Sequence, residues 1–249
     1  MLSNFFTGQA MTENWPEGYF VNIPYTKGYY REMAPAYLRF CLLLKGVLPP
    51  DAANFNYCEL AMGHGYSANI HAAANDGIFV GLDFMPDHAL FAERMAKGAA
   101  TGLQVRDAGI AEFCSDSTDE FDYVCLHGGW SWIAGHNREI IVDFLERCLK
   151  PGGVFYVSYN TWPGWSSAAP LRKLFTLFDN FYGSAGMPEV ERIGNAVTLT
   201  EALLECKPLF MNASEWISER FDGLKKENPA YLEHPPLAIP VLSCIMAVC

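Results

Sequence analysis

The chain has 249 residues, 51% of them hydrophobic and 18% charged, and its 28 acidic against 17 basic side chains leave a formal net charge of −11. So apolar and weakly charged a composition excludes intrinsic disorder. An acidic balance with no run of Lys or Arg also excludes the phosphate-neutralising footprint of a nucleic-acid binder, so no nucleic-acid partner is expected. Residues 1–8 carry neither a basic start nor a sustained apolar stretch, so no secretory signal is expected. The longest apolar stretch, 235–249, is interrupted by Pro235, Pro236 and Pro240 and is shorter than the ~20 residues a bilayer requires, so no membrane span is expected either. Eight cysteines (Cys41, Cys58, Cys114, Cys125, Cys148, Cys206, Cys244 and Cys249) form no C-x-x-C pair and lie mostly in apolar runs. They read as buried free thiols of a reducing cytoplasm. His71, His88, His136 and His234 have no metal-ligand spacing, so no metal site is expected.

The first 50 residues are rich in aromatics, among them Trp15, Tyr19, Phe20, Tyr25, Tyr29, Tyr30 and Tyr37. A helix is predicted over 35–45, opened by Pro35 and stopped by Gly46 and Pro49-Pro50. Five short apolar runs follow, at 56–62, 78–84, 103–105, 123–127 and 154–159, each bounded by Gly, Asp or Asn. Amphipathic segments at 67–75, 86–97 and 137–150 separate most of them, the last with Ile140, Ile141, Phe144, Leu145, Cys148 and Leu149 on one face. Strands alternating with helices predict an α/β fold with a mostly parallel, doubly wound sheet and helices on both faces. From 166 onward the period becomes helical: Leu171, Leu174, Phe175 and Phe178 make one stripe, Leu199, Leu203 and Leu204 another. This predicts a helical C-terminal appendage, whose last run, 239–248, reads equally as a returning strand or a short buried helix. The expected division is 1–50 as a lead-in or lid, 51–165 as the core and 166–249 as the appendage.

The first strand runs into Glu59-Leu60-Ala61-Met62-Gly63-His64-Gly65 and then a helix. Glycines there let the backbone approach a ligand closely, and the helix start offers free N–H groups, so a nucleotide-like cofactor is the natural occupant. A tight strand-to-helix turn with no ligand is the alternative. Gly63-x-Gly65-x-x-Ala68 also satisfies the dinucleotide pattern, with Asp83 ending the second strand at the distance of a ribose ligand. Glu59 separates the two ligand readings. A carboxylate just before the glycines repels a pyrophosphate but suits the cationic methionyl end of S-adenosylmethionine.

These residues resemble a known family. Glu59 to Gly65 is similar to the E/D-x-G-x-G-x-G motif of class I S-adenosylmethionine-dependent methyltransferases. Val80-Gly81-Leu82-Asp83-Phe84-Met85-Pro86 resembles their second motif, Phe121-Asp122-Tyr123-Val124-Cys125 their fourth strand, and the segment from Leu149-Lys150-Pro151-Gly152-Gly153 to Ser158 the turn into their fifth. Within that superfamily, His127-Gly128-Gly129-Trp130-Ser131-Trp132 and 158–165 are similar to the group that carries a C-terminal methyltransferase-regulatory domain, some of whose members methylate protein lysines; that domain is expected to be largely missing here. The resemblance implies a Rossmann-like fold and S-adenosylmethionine as cofactor, with S-adenosylhomocysteine as product. It places Glu59, Ala61, Gly63 and Gly65 around the methionyl end, Asp83 and Phe84 at the ribose, and His127 beside the cofactor. The first glycine of the motif is Ala61 here, and the adenine acid falls on Gly109 or, two residues back, on Asp107, so Asp107 and Ala108 are assigned to adenine. Tyr25, Tyr29 and Tyr30 either fold over the cofactor or belong to a lead-in packed on the sheet.

Methyl transfer needs alignment, exclusion of water and removal of one proton, so few catalytic groups suffice. His127 is the expected base, and Tyr159 and Asn160 are expected to orient an acceptor nitrogen or oxygen on a small molecule or a protein side chain. Trp130, Trp132, Trp162 and Trp165 are an expected aromatic wall, with core packing as the alternative. Two competing functions remain at this stage. One is a catalytically silent binding module, prompted by Ala61 and the missing adenine acid. The other is an NAD(P)-dependent oxidoreductase, against which Glu59 and the lack of a Tyr-x-x-x-Lys pair both count.

Overall fold

A computed structural model describes residues 27–130, 133–159, 169–183, 186–209, 221–222 and 243–248. A 3-10 turn at Arg31–Met33 leads into helix α1 (Pro35–Leu44), which Pro35 opens at its first position. Strands and helices then alternate: β1 (Phe55–Leu60), α2 (Tyr66–Ala74), β2 (Gly77–Asp83), α3 (Pro86–Ala99), β3 (Gln104–Asp107), α4 (Ile110–Asp116), β4 (Phe121–Leu126), α5 (Gly135–Cys148) and β5 (Leu149–Tyr159). After them come α6 (Ala169–Tyr182), α7 (Glu189–Glu205) and β6 (Ser243–Val248). The sheet order is β3-β2-β1-β4-β5-β6, and β1 pairs parallel to both β2 and β4, as β2 does to β3.

This is the Rossmann-like, doubly wound sheet expected from the alternation of elements. The strand order reverses between β1 and β4, and in such sheets ligands sit outside the carboxyl ends of the strands at that switch point. β1 and β4 are buried along nearly their whole length, which is why they read as continuous apolar runs. Successive side chains alternate between faces, so Phe55, Tyr57 and Glu59 share one face of β1. Phe55 packs on Phe79 and Tyr123 with centroids 5.6 and 5.2 Å apart, and Tyr57 on Phe79 at 5.0 Å. Glu59 therefore stands at the end of an aromatic layer. A buried amide ties the surrounding helices together: Asn69 Nδ2 donates to the carbonyls of Gly65 and Ala92, and its Oδ1 accepts from Thr101 Oγ1 at 2.8 Å.

The chain divides into two compact units, residues 1–156 with 246–249, and residues 157–245. The second contains α6 and α7; Leu171 and Phe175 are buried there, as the helical stripe predicts. Of the final run, Ser243–Val248 form a strand, β6. Three expectations need adjusting. α4 is absent from the sequence reading, because Ile110 and Cys114 are its only buried side chains. β5 begins at Leu149, five residues earlier than predicted, and carries the Pro151-Gly152 turn within it, Gly152 having φ +80°. Cys58, Cys114, Cys125 and Cys148 are buried free thiols as expected, whereas Cys206 is exposed.

One buried group sets a limit on acid stability. His71 on α2 is buried against Tyr29 and Tyr57, neither ring nitrogen has a hydrogen-bond partner, and burial holds its pKa down to about 4. The unfolded chain binds a proton near pH 6.5 that the folded chain refuses, so stability falls as pH drops from 6.5 towards 4. His71→Leu should recover about 2 kcal/mol at pH 5 and little at pH 8, read from urea midpoints at the two pH values.

Candidate functional site

The glycine turn between β1 and α2 is built from unusual backbone. Gly63 and Gly65 have φ +57° and +68°, and Ala61, at φ +52°, adopts the same left-handed conformation with a side chain. A Cβ on Gly65 would stand 2.6 Å from Ala92 Cβ, so α3 leaves room only for glycine. The turn is anchored beneath by Met62, whose N–H donates to Leu82 O at 2.9 Å. For an alanine the left-handed region costs ~1–2 kcal/mol, against 0.5–1 kcal/mol of extra unfolded-state entropy for glycine. Ala61→Gly should therefore stabilise the ligand-free protein by roughly 0.5–1 kcal/mol, seen as a raised urea midpoint at unchanged slope.

Two buried carboxylates flank this turn. Glu59 on β1 is 4% exposed, and its Oε2 has no hydrogen-bond partner. Burial raises its pKa to about 8, opposed by the hydrogen bond from Tyr57. The Tyr57 hydroxyl also reaches Met33 O at 3.4 Å, which ties the N-terminal lead-in to this acid. Asp83, equally buried at the end of β2, has a partner on each carboxyl oxygen. Its Oδ2 accepts the Gly63 N–H at 2.8 Å, and its Oδ1 accepts the Met85 N–H at 3.0 Å and faces His88 Nδ1 at 3.1 Å. Both acids stand at carboxyl ends of adjacent strands, Glu59 being paired with Gly81 and Asp83 with Asp107.

Asp107 is exposed at the end of β3, and the Ala108 N–H donates to Asp83 O at 3.2 Å. Gly109, the other position considered for the adenine acid, is the N-cap of α4 with φ −69°. On the opposite side, at the end of β4, His127 stacks on Tyr30 with centroids 4.0 Å apart, and its Nδ1 lies 3.0 Å from Tyr156 Oη. Burial lowers its pKa to about 4, so the ring is neutral near pH 7. The Tyr30 N–H donates to Ser67 Oγ at 2.8 Å, so the lead-in bridges α2 and the end of β4. Tyr30 and His127 are thus brought together, as are Glu59, the turn and Asp83. Phe84 is half-buried beside Asp83. Trp130 lies under Arg138, whose guanidinium sits 5.8 Å from its ring centre. Tyr159 ends β5, while Asn160, Trp132, Trp162 and Trp165 lie outside the described residues. Among the described residues no group of three His, Cys, Asp or Glu converges as a metal site, and no helix is long and apolar enough to cross a membrane.

Two contributors escape a sequence reading. His88 has no metal-ligand spacing, yet five residues after the strand-ending Asp83 it reaches back to that acid from the first turn of α3. His64, half-buried inside the glycine turn, packs on His88 and Phe91 with centroids 4.3 and 5.3 Å away.

Residues 58–157, which contain both carboxylates, the turn and His127, match the family described as a methyltransferase domain. The match places a methyltransferase domain over that stretch of the chain. Uncharacterized protein sll1526 of Synechocystis sp. is 37% identical over 223 residues, covering 88% of this chain and 44% of that protein. Uncharacterized protein RP789 of Rickettsia prowazekii is 28% identical over 222 residues, covering 86% of this chain and 38% of that one. Among solved structures, PKMT2 from Rickettsia typhi in complex with AdoHcy superposes on 86% of this chain and 41% of its own, with a TM-score of 0.69 at 20% identity. The chain thus spans about two fifths of the length of these relatives.

Proposed function

We propose that this methyltransferase domain binds S-adenosylmethionine and transfers its methyl group to a nitrogen or oxygen of a small molecule or a protein side chain. The observation that carries the reading is Glu59: a buried carboxyl with an unpartnered oxygen, raised to a pKa near 8, beside a glycine turn. Such a group lacks a cation, and the residues present fit a ligand with a cationic methionyl end and a ribose. When bound, the cofactor supplies a methyl on a cationic sulfur, open to in-line displacement by an acceptor lone pair. Around it, Glu59 would hold the amino group, Gly63, Gly65 and the half-buried Ala61 would let backbone approach closely, and Asp83 with Phe84 would hold the ribose. Asp107 and Ala108, beside Asp83 in the sheet, would bound the adenine. The Tyr30–His127 stack would exclude water from the β4 side.

His127, Tyr159 and Asn160 would handle the acceptor. His127 keeps an acceptor lone pair at neutral pH, because its pKa is held near 4. It is a weak base, suited to orienting an already neutral amine or a hydroxyl rather than to storing a proton. We place the lead-in at 1–50, the cofactor-binding core at 51–165 and the helical appendage at 166–249, and the buried thiols support a reducing, cytoplasmic setting. The crystallised complex of PKMT2 with AdoHcy supports the cofactor assignment by likeness of fold. The test is calorimetry of the purified protein with S-adenosylhomocysteine, together with transfer of an isotope-labelled methyl to panels of peptides and metabolites. Binding with a Kd on the order of 10 µM or tighter and a labelled product are expected. Wild-type protein that fails to bind overturns the reading, and binding without any product favours the silent module.

A further inference from the structure

The Asp83 carboxyl has more partners than a ligand-binding acid needs for its own satisfaction. Oδ1 is taken by the Met85 N–H and by His88 Nδ1, which occupy its two in-plane lone pairs, and Oδ2 is taken once, by the Gly63 N–H. One in-plane lone pair is left, on Oδ2, the oxygen that faces the glycine turn. Which oxygen stays open depends on the torsion of the carboxyl group, and a carboxyl torsion is intrinsically broad. Something has to hold it.

The Met85 N–H is two residues from Asp83 and moves with it. His88 belongs to α3 and is the one side chain seen to bond this carboxyl among the described residues. Its imidazole is 6% exposed and closed in by His64 at 4.3 Å, which in turn stands edge-on to Phe91 at 5.3 Å. The ring is therefore fixed by packing on one side and aims Nδ1 at Oδ1 on the other. The Nδ1–H donates, because the carboxylate offers only acceptors.

We propose that His88 is a positioning residue for ribose recognition: its bond to Oδ1 of Asp83 fixes the carboxyl so that the open lone pair of Oδ2 meets a ribose hydroxyl. This rests on the cofactor assignment above. His88 touches neither the ligand's methyl group nor the acceptor, so it acts on affinity for the ribose and leaves the chemical step alone. Positioning of this kind, one shell out from the ligand, makes a flexible acid selective.

The experiment uses the full chain and two probes, S-adenosylhomocysteine and its analogue lacking both ribose hydroxyls. Calorimetry compares wild type, His88→Leu and His88→Asn, the last because an asparagine amide nitrogen can stand where Nδ1 stands. His88→Leu should bind S-adenosylhomocysteine about tenfold more weakly and the dideoxy analogue as wild type does, and His88→Asn should recover most of the loss. With a methyl acceptor in hand, His88→Leu should raise KM for S-adenosylmethionine and leave kcat within twofold. Equal losses on both probes, or no loss on either, overturn the role of His88. Wild-type protein that binds neither probe overturns the cofactor assignment itself, so the two failures are distinct. If His88→Leu does not fold, His88→Asn and His88→Gln carry the same comparison, since the glutamine amide reaches past Oδ1 and should behave as the leucine does.

Discussion

Asp83→Ala is expected to lower affinity for S-adenosylhomocysteine at least 100-fold and to destabilise the protein by roughly 2–5 kcal/mol. The two effects have separate causes. The affinity loss follows from removing Oδ2, the carboxyl oxygen that keeps one lone pair open at the carboxyl end of β2. The stability loss follows from the three donors it satisfies: the buried Gly63 N–H and His88 Nδ1 and the half-buried Met85 N–H all lose their acceptor. Asp83→Asn separates them. It keeps the shape and one acceptor, so thermal stability should fall by less than in the alanine variant. One face of the amide then presents hydrogens to a donor, so ribose binding should still drop more than tenfold. Calorimetry and thermal melts on the same samples give both numbers. An alanine variant that binds within threefold of wild type would remove Asp83 from the site.

Glu59→Gln should act in opposite directions on stability and binding. The folded chain holds the Glu59 proton up to about pH 8, whereas the unfolded chain releases it near 4.5. A carboxyl with a raised folded pKa binds more protons folded than unfolded, so the ligand-free protein loses stability as pH climbs from 4.5 to 8. Glutamine has no proton to lose. Glu59→Gln should therefore stabilise the ligand-free protein by about 2–4 kcal/mol at pH 8 and leave it nearly unchanged at pH 5. Binding shows the reverse. A cationic amino group prefers the ionised carboxylate, so below pH 8 the ligand must expel a proton to bind. Wild-type affinity for S-adenosylhomocysteine should thus rise by up to tenfold per pH unit between pH 6 and 8 and then level off. The Gln variant should be flat with pH and weaker at pH 8. A wild-type affinity that does not change with pH would show that the methionyl cation does not meet Glu59. Stability given up at a functional acid and recovered when its partner arrives is the usual signature of a binding site.

The parts of this fold that were legible in the sequence are those in which burial and local signals agree. β1 and β4 are enclosed on both faces, so their apolar runs stand out, and α3 begins at Pro86, where a proline is favoured. Short α4 was not legible, because seven residues with two buried side chains carry no period. β5 was read five residues short because Pro151 and Gly152 mark a turn wherever they fall, and here the turn is absorbed into a strand. In the site, Glu59 and Asp83 could be found because a carboxylate at the end of an apolar run is costly and so needs a reason. The Tyr30–His127 stack joins residues 97 positions apart in number, and nothing in either local sequence signals that pairing. His88 is illegible for a different reason: its meaning lies in a helical turn that carries it back over Asp83, a spacing that no metal or catalytic pattern encodes.

The Asn69 amide has a consequence for motion. One nitrogen bonds Gly65 O in the turn and Ala92 O in α3, and one oxygen holds Thr101 beyond the end of α3. Opening the turn enough for solvent to reach its backbone must break those bonds together, so the turn and the middle of α3 form a single opening unit. Hydrogen exchange at the amides of 63–69 and 92–96 should then share one protection free energy and slow together when ligand is added. In this fold a turn that must admit a ligand is held at the same time by the helix that carries His88, and occupancy of one is felt as rigidity in the other.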